Sequence, residues 1–173
     1  MPCCYSDGLV ADPQEPLVSL ALPAPGLEFF ADLSVSVDRP QEVGQTLEGL
    51  RRVVPILGGE VKGEGWSGRV LPGGADFQRI LGGTVAHLDA RYIIETDGGD
   101  RIFVQNRAVR AASTEVTAKL LRGEPVDPSQ VYFRCSPSFE TASKALAWIN
   151  ERIFVGTGAR HPDRVVLRYY TLT

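Results

Sequence analysis

Residues 84–109 read TVAHLDARYIIETDGGDRIFVQNRAV, and this stretch decides the fold. Two runs rich in β-branched and aromatic residues flank the tetrad DGGD at 97–100, which is typical of a hairpin turn. Glycine supplies the positive φ that such a turn requires, at no steric cost. The stretch therefore predicts a long antiparallel hairpin in which residues 84–96 pair with residues 101–109.

Short β segments separated by turns continue along the chain. The predicted strands are 27–37, 49–57, 59–63, 66–71, 84–96, 101–109, 130–135, 152–158 and 164–172. Helical periodicity is confined to 114–122, which Gly123 ends, and to 143–151, with Ser143 as a candidate N-cap. Because strands and helices do not alternate, a parallel sheet is excluded. The pattern predicts a mostly β, antiparallel barrel or sandwich with one or two short helices.

Length and composition indicate one globular domain. The chain has 173 residues, 43% of them hydrophobic and 23% charged, which suffices for a single core but not for a second full domain. Prolines are dense at the start, so we expect an irregular, proline-rich N-terminal arm at residues 1–26 and the β domain at residues 27–173.

Charge and cysteine content limit the partners and the location. A net charge of -3 lacks the concentrated basic face that nucleic acid requires, so no nucleic-acid partner is expected. No run reaches the roughly 18 apolar residues that cross a bilayer, so no membrane partner is expected. No Lys or Arg precedes Arg39, which argues against a secretory signal and predicts a cytoplasmic protein. Cys3, Cys4 and Cys135 show no C-x-x-C spacing, so neither a disulfide nor zinc is expected.

The stretch GEGWSG at 63–68 fits the spacing G-x-G-x-x-G of a dinucleotide-binding turn. That motif needs a helix that opens at its last glycine and binds the pyrophosphate. Here Pro72 and two further glycines forbid the helix. The glycines between residues 58 and 74 predict the bulges and bends of a small barrel instead, and no cofactor is expected.

The two histidines, His87 and His161, are the candidate bases of a serine or cysteine triad. Neither has an acidic or thiol partner close in sequence. Both are interpreted as structural or exposed, and no metal site is predicted.

Arginines recur beside acidic or aromatic residues at alternating strand positions. Alternation puts Asp89 and Arg91 on one face of the predicted strand 84–96 and Tyr92 on the other. Arg107 and Arg134 hold similar positions on later strands. This pattern has two interpretations: a solvated outer face of ion pairs, or the polar lumen of a barrel that encloses a small ligand.

In a polar lumen these groups would provide acid–base chemistry. Arginines would stabilise negative charge that develops on an oxygen, while a carboxyl group moved the proton. The candidate catalytic residues are Arg91, Arg107, Arg134, Asp76 and Glu140.

Four segments in combination resemble one known family: PILGGEVKGEGWSGRVLPGGADFQ, LDARYIIETDGGDRIFVQNRAVR, EPVDPSQVYFRCSPSFET and AWINERIFVGTGARHPDRVVLRYY. The chain resembles the domain-of-unknown-function family 3237, also called the uncharacterised protein family 0311, over residues 27–171. The resemblance implies a single-domain antiparallel β-barrel of about eight strands, calycin-like or outer-membrane-barrel-like in architecture but soluble, and often a homo-oligomer. It implies no established reaction.

The resemblance also directs attention to positions for a small-molecule ligand. The candidate ligand-binding residues are Asp89, Tyr92, Tyr132, Phe77, Trp148 and Asn106. Phe77 stands where the family usually has Trp, and Cys135 where it usually has Thr. Since a phenyl ring lacks the indole N–H and a thiol is a weak donor, a different ligand is expected if either residue lines the cavity.

Three functions fit these features. The leading hypothesis is a cofactor-independent isomerase, cyclase or lyase that acts on a small, partly apolar carbonyl or carboxylate compound in the barrel cavity. The alternative is a non-catalytic small-molecule-binding barrel, and the third is an assembly subunit without a pocket. A buried acid within reach of an arginine and facing a pocket would favour catalysis, whereas a dry aromatic pocket would favour a carrier.

Overall fold

The computed structural model describes residues 22–173, and this part of the chain contains ten strands and one α-helix. In chain order the elements are β1 (Leu27–Val37), β2 (Gln41–Thr46), β3 (Gly49–Gly63), β4 (Ser67–Val70), β5 (Ala75–Leu81), β6 (Val85–Thr96), β7 (Arg101–Ala111), α1 (Thr114–Leu121), β8 (Tyr132–Thr141), β9 (Phe154–Arg160) and β10 (Arg164–Leu172). Short 3₁₀ turns cover Pro128–Gln130 and Ala147–Glu151. The predicted arm lies mostly outside the described residues.

The strands form one closed antiparallel barrel. Neighbours follow the order β1, β10, β9, β8, β7 and β6, and β3 closes the circle by pairing with β1. β1 and β2 share one edge of β3, while β4 and β5 share the other edge and both pair with β6. Ten strands thus fill eight positions, which confirms the predicted barrel and excludes the sandwich.

A bend in β3 allows this one strand to serve both halves of the barrel. The strand is 15 residues long and turns at Gly58 and Gly59, whose φ angles are 139° and 154°. At Gly59 a Cβ atom would collide with the carbonyl oxygen of Ser34 on β1. The two strands predicted at 49–57 and 59–63 are therefore one continuous strand, because glycine lets the backbone bend without breaking the ladder.

The hairpin that dominates the sequence is present as predicted. β6 and β7 pair without interruption from Val85 opposite Ala111 to Glu95 opposite Arg101. The GEGWSG stretch forms the turn between β3 and β4, where the Gly63 N–H donates to the Trp66 carbonyl at 2.9 Å. A strand follows Gly68 where a dinucleotide site would need a helix.

The helix after β7 also follows its sequence signals. Ser113 caps α1 by accepting the Val116 N–H at 3.2 Å, and Gly123 follows the C-terminus with a φ of 74°. No helix within residues 22–173 has both the length and the apolar character needed to span a membrane.

Several elements differ from the prediction, and among them β8 continues to Thr141, six residues past its predicted end at residue 135. β2 and β5 lie where no strand is predicted, and β5 escapes the pattern because Asp76 and Gln78, two of its inward side chains, are polar. The helix predicted at 143–151 is only the 3₁₀ turn Ala147–Glu151, and Leu146 rather than Ser143 precedes it. Asn150 exchanges two hydrogen bonds with the Thr141 backbone, which ties this segment to β8 instead of letting it extend as a helix.

Aromatic side chains fill one end of the lumen. Phe30, Phe139, Phe154 and Tyr169 have ring centroids 4.7–5.8 Å apart and form the aromatic plug. All four are buried. Trp66 and Trp148 lie against Phe30 from outside the plug, at 5.6 and 5.7 Å. The barrel is closed at this end, and any ligand in its interior must occupy the other half.

Candidate functional site

Small inward residues leave the other half of the lumen hollow. Strand alternation turns Ala90 on β6 and Ala108 on β7 toward the interior, where a methyl group fills far less space than the rings of the plug. A cavity of about 310 Å³ remains. Its apolar walls include Val54, Ile56, Leu88, Phe133 and Leu167. Its size lies at the lower end of the range for small-molecule sites.

One cross-strand row carries two polar side chains into this cavity. Asp76 on β5 lies opposite Ala90, and Ala90 lies opposite Asn106 on β7. With strands spaced about 4.8 Å apart, the Asp76 and Asn106 backbones are about 10 Å apart along the wall. Asp76 Oδ1 and Asn106 Oδ1 are the two buried side-chain atoms in residues 22–173 that lack a hydrogen bond. The cavity therefore offers two acceptors to a ligand that carries O–H or N–H groups.

Asp76 belongs to a buried polar relay. Gln78 Nε2 donates to Asp76 Oδ2 at 2.5 Å, and Arg52 Nε donates to Gln78 Oε1 at 2.7 Å. Arg52 and Gln78 are cross-strand neighbours, each 5% exposed. Burial raises the pKa of Asp76, although the Gln78 hydrogen bond and the charges of Arg110 and Arg52 oppose the shift. Asp76 thus holds its proton to a higher pH than a free aspartate, as an acid–base group requires.

Three arginines line the cavity on the side toward α1. Arg52, Arg110 and Arg160 lie on β3, β7 and β9. Burial lowers the pKa of Arg110 to about 10, and the neighbouring charges of Arg160 and Arg52 add to the shift. Burial also lowers the pKa values of Arg52 and Arg160. Away from its exposed rim, the cavity therefore combines these three cationic groups with the carboxyl group of Asp76, whose neutral form burial favours.

A pair of tyrosines lies between the cavity and the plug. The hydroxyl groups of Tyr92 and Tyr169 are 3.1 Å apart and both residues are buried. Burial raises the pKa of each phenol, so both stay neutral. Tyr92 lines the cavity and Tyr169 belongs to the plug, so this hydrogen bond joins the two halves of the lumen.

The structure brings three of the predicted site residues together in the cavity: Asp76, Tyr92 and Asn106. The other eight do not line it. Arg91, Arg107, Arg134, Glu140, Asp89, Tyr132 and Phe77 lie on the outer face of the barrel, and Trp148 covers the plugged end.

The predicted alternation is correct, but the lumen placement of these arginines and of Glu140 is wrong. Apolar and small residues of β6, β7 and β8 face inward, so the charged positions in the opposite phase face solvent. Arg91 pairs with Asp89 at 3.0 Å, and Arg134 stacks over Tyr132 at 5.3 Å. The interpretation as an outer face of ion pairs and stacked cations holds here. Phe77 also faces outward, and Cys135 is buried without lining the cavity.

Sequence reasoning missed four polar side chains of the cavity interior, which are Arg52, Gln78, Arg110 and Arg160. A signal for two of them is present in the strand pattern. Arg110 continues the phase of Val104 and Ala108, and Arg52 continues the phase of Val54. A charged residue in phase with a buried apolar face is more informative than one in phase with exposed residues.

The side chains of the cavity suit an organic anion better than a metal ion. Within residues 22–173, no group of three or more His, Cys, Asp or Glu side chains is placed to hold a metal. Guanidinium groups predominate instead, and they bind carboxylates through paired N–H donors.

Comparison with known proteins gives consistent matches. The family model described as "Protein of unknown function (DUF3237)" matches residues 25–172. A UPF0311 protein of Rhodopseudomonas palustris is 52% identical over 140 residues, which are 81% of this chain and 92% of that relative. The crystal structure of a conserved protein of unknown function from Rhodopseudomonas palustris superposes with a TM-score of 0.83 at 41% identity, covering 88% of this chain and 100% of that one.

Two further crystal structures share the architecture. A beta-barrel like protein from Acinetobacter baumannii has a TM-score of 0.78 at 36% identity, covering 89% of this chain and 99% of that one. An enzyme from Penicillium herquei has a TM-score of 0.66 at 20% identity, covering 88% and 98%, and this likeness concerns the fold alone. The family match over nearly all the described residues and the close relative agree, and the chain belongs to the DUF3237 family of proteins of unknown function.

Proposed function

We propose that the protein is a cofactor-independent enzyme that isomerises, cyclises or cleaves a small, partly apolar carbonyl or carboxylate compound in the barrel cavity. The observation that carries the proposal is the hydrogen bonding of the Asp76 carboxyl group. One carboxylate oxygen is held by Gln78, while the other is buried at the cavity and has no hydrogen bond. A carboxyl group that is fixed on one side and free on the side of the ligand is arranged for proton transfer.

Isomerisation, cyclisation and elimination share one requirement that this arrangement meets. A base takes a proton from the substrate, and negative charge develops on a nearby oxygen until the proton returns elsewhere. Asp76 Oδ1 takes and returns the proton, so no external oxidant or reductant is needed. The positive potential of Arg52 and its neighbours stabilises the developing charge, and this stabilisation is strong because the site is buried.

The relay explains how Asp76 keeps one orientation. Gln78 donates to Asp76 with its amide group and accepts from Arg52 with its carbonyl group, so both ends of the amide are engaged. Arg52 therefore acts on Asp76 through Gln78 as a positioning residue. The Penicillium herquei structure supports the proposal only in showing that an enzyme has this barrel fold.

A non-catalytic small-molecule-binding barrel is the second candidate, and the apolar walls favour it. Side chains such as Val54, Leu88 and Phe133 would hold a ligand whether or not Asp76 acts on it. A carrier would bind the same compounds after Asp76 loses its proton-transfer ability, whereas the enzyme would lose turnover.

Deuterium uptake into surrogate carbonyl compounds tests the proposal. Small ketones and keto acids, including 4-phenyl-2-butanone and phenylpyruvate, are incubated with the protein in D₂O, and exchange next to the carbonyl is followed by NMR. We expect the wild type to accelerate exchange for at least one compound and Asp76→Asn to reduce that acceleration about 100-fold or more. Asp32→Asn, which changes an exposed outer carboxylate, serves as the control and retains the rate. Equal acceleration by the wild type and Asp76→Asn contradicts the proposal, and binding without any exchange favours the carrier.

A further inference from the structure

The arginines of the described chain differ in how they are partnered. Eight of them pair with carboxylates, as Arg168 does with Asp32 and Arg69 does with Glu95. Arg110 and Arg160 are half-buried, yet within residues 22–173 neither side chain has an ion pair or a hydrogen bond. A cation that is partly removed from water and has no partner is costly, so a partner for them is expected from outside the chain.

The two side chains face open space instead of packed protein. Arg110 and Arg160, together with Arg52, line the 310 Å³ cavity and also a second pocket of about 210 Å³ beneath α1. The walls of the second pocket include Leu50, Ile80, Ala86, Thr117 and Leu120. The guanidinium groups thus form the shared wall of two adjoining spaces, where a ligand group can reach them.

Carboxyl groups of the protein do not neutralise this position. Asp76 lines the cavity, but its single carboxyl group cannot balance the three guanidinium groups of Arg52, Arg110 and Arg160. Asp38 and Asp163 lie at the exposed rim, and Asp163 already pairs with Arg164 at 3.4 Å. Glu42 borders the pocket beneath α1 and is exposed as well. The interior therefore retains a positive potential that one organic anion would relieve.

Strand register places the Arg110 backbone well away from the row that contains the acid–base group. Arg110 lies four residues from Asn106 on β7, which places their backbones about 13 Å apart along the strand. Asp76 lies in the same cross-strand row as Asn106, whereas Arg110 lies nearer to α1. Arg52 is engaged with Gln78, which leaves Arg110 and Arg160 free to bind a ligand.

We infer that Arg110 and Arg160 bind the carboxylate of an organic acid whose apolar body extends along the cavity toward Asp76 and Asn106. This inference rests on the proposed function and selects carboxylates among its carbonyl and carboxylate substrates. The planar fork of a guanidinium matches a carboxylate with two parallel hydrogen bonds, and the alanines of the wall leave room for a ring or short chain.

Calorimetric titration with matched acids and amides tests the inference. The probes are phenylacetate, 4-hydroxyphenylacetate and cyclohexanecarboxylate, each against its neutral amide, with acetate and inorganic phosphate as free anions. We expect the wild type to bind at least one acid tenfold or more tighter than its amide, and tighter than either free anion. Absence of an acid preference in all three pairs overturns the inference, and so does phosphate binding as tight as the best acid. The wild-type comparison does not depend on any variant being folded.

Variants then show which arginines cause the preference for acids over amides. Arg110→Gln and Arg160→Gln should each reduce the acid-over-amide ratio about tenfold, while Arg107→Gln should leave it unchanged, because Arg107 lies on the same strand but on the exposed outer face. An unchanged ratio in both interior variants, with circular dichroism showing a folded barrel, overturns the assignment. The titrations are repeated in Asp76→Asn, so that slow turnover does not affect the measured affinities. If the wild type shows no Asp76-dependent exchange but keeps its acid preference, only the proposed function is contradicted. If exchange depends on Asp76 but no acid preference is found, only the carboxylate assignment is contradicted.

Discussion

The two halves of the barrel lumen share most of their strands but are filled in opposite ways. At one end the aromatic plug packs ring against ring around Phe154. At the other, Ala90 and Ala108 leave about 310 Å³ open among arginines and one aspartate. Both halves are enclosed by an antiparallel ladder, so the difference in filling lies mainly in the side chains. The contrast indicates that burial stabilises the fold mainly at the plugged end, which leaves the hollow end available for a ligand.

The largest expected effect follows from opening the plugged end. Phe154 is fully buried and its ring contacts those of Phe30 and Phe139, so Phe154→Ala should lower the free energy of unfolding by about 3–5 kcal/mol. Urea denaturation measures the loss. Ile153→Ala is the matched control, since Ile153 is exposed, and should change the value by about 0.5 kcal/mol or less. A loss below about 1 kcal/mol for Phe154→Ala would show that the plug is not the main source of stability.

The hydrogen bond between Tyr92 and Tyr169, which joins the two halves, should contribute less to the free energy of unfolding than the ring of Phe154 does. Tyr92→Phe removes one hydroxyl from the Tyr92–Tyr169 pair and should destabilise the protein by about 0.5–1.5 kcal/mol, by the usual net value of one hydrogen bond. The same urea assay applies, with Tyr132→Phe as the exposed control. An equal effect of both substitutions would mean that the buried pair has no special role.

Filling the hollow end should have the opposite sign. Ala108→Val adds two methyl groups facing the cavity and should raise the free energy of unfolding by about 0.5–1 kcal/mol while weakening ligand binding. Thermal unfolding and the carboxylate titrations measure the two effects. Destabilisation would show that the space beside Ala108 is not open, and the contrast between the halves would fail there.

The smallest expected effect concerns Asp76 and Asp32. As the pH rises, the contribution of one to the free energy of unfolding decreases while that of the other increases. Burial raises the folded-state pKa of Asp76, so its contribution is fully present below the unfolded value of 3.8 and is lost as the pH rises through the folded-state pKa. The hydrogen bond from Arg168 lowers the pKa of Asp32, so the contribution of Asp32 is present above 3.8 and is lost as the pH falls.

Chemical denaturation between pH 3 and pH 8 distinguishes the two groups. Asp76→Asn should gain stability relative to the wild type as the pH rises. Asp32→Asn should be about 0.2–1 kcal/mol less stable than the wild type near pH 7 and match it in acid, since its pair with Arg168 is exposed. Curves of the same sign for both variants would contradict the assignment of Asp76 to a buried environment.

Most of the strand framework follows from the sequence, whereas the contents of the lumen do not. Alternation between residues 84 and 109, with a DGGD turn, is enough to predict the β6–β7 hairpin, because apolar periodicity and turn chemistry agree there. β5 carries Asp76 and Gln78 on its inward face, so it lacks the apolar pattern on which strand prediction depends.

The candidate site shows the same limit. Alternation separates Arg91 from Tyr92 but does not state which of the two faces the lumen, and that choice depends on how the barrel closes. Asp76 and Asn106 come together only through a register shared by three strands. The cavity exists because the side chains of Ala90 and Ala108 are small, and small side chains produce no recognisable sequence motif.

The alternation of β7 also has an evolutionary consequence. Arg107 and Arg110 are three residues apart, yet one belongs to the solvent-facing surface and the other to the interior. Substitutions on the outer positions can alter charge or contacts with other molecules without altering the pocket, and substitutions on the inner positions can change ligand preference without altering the surface. A barrel wall of this kind allows two properties to diverge independently within a single strand.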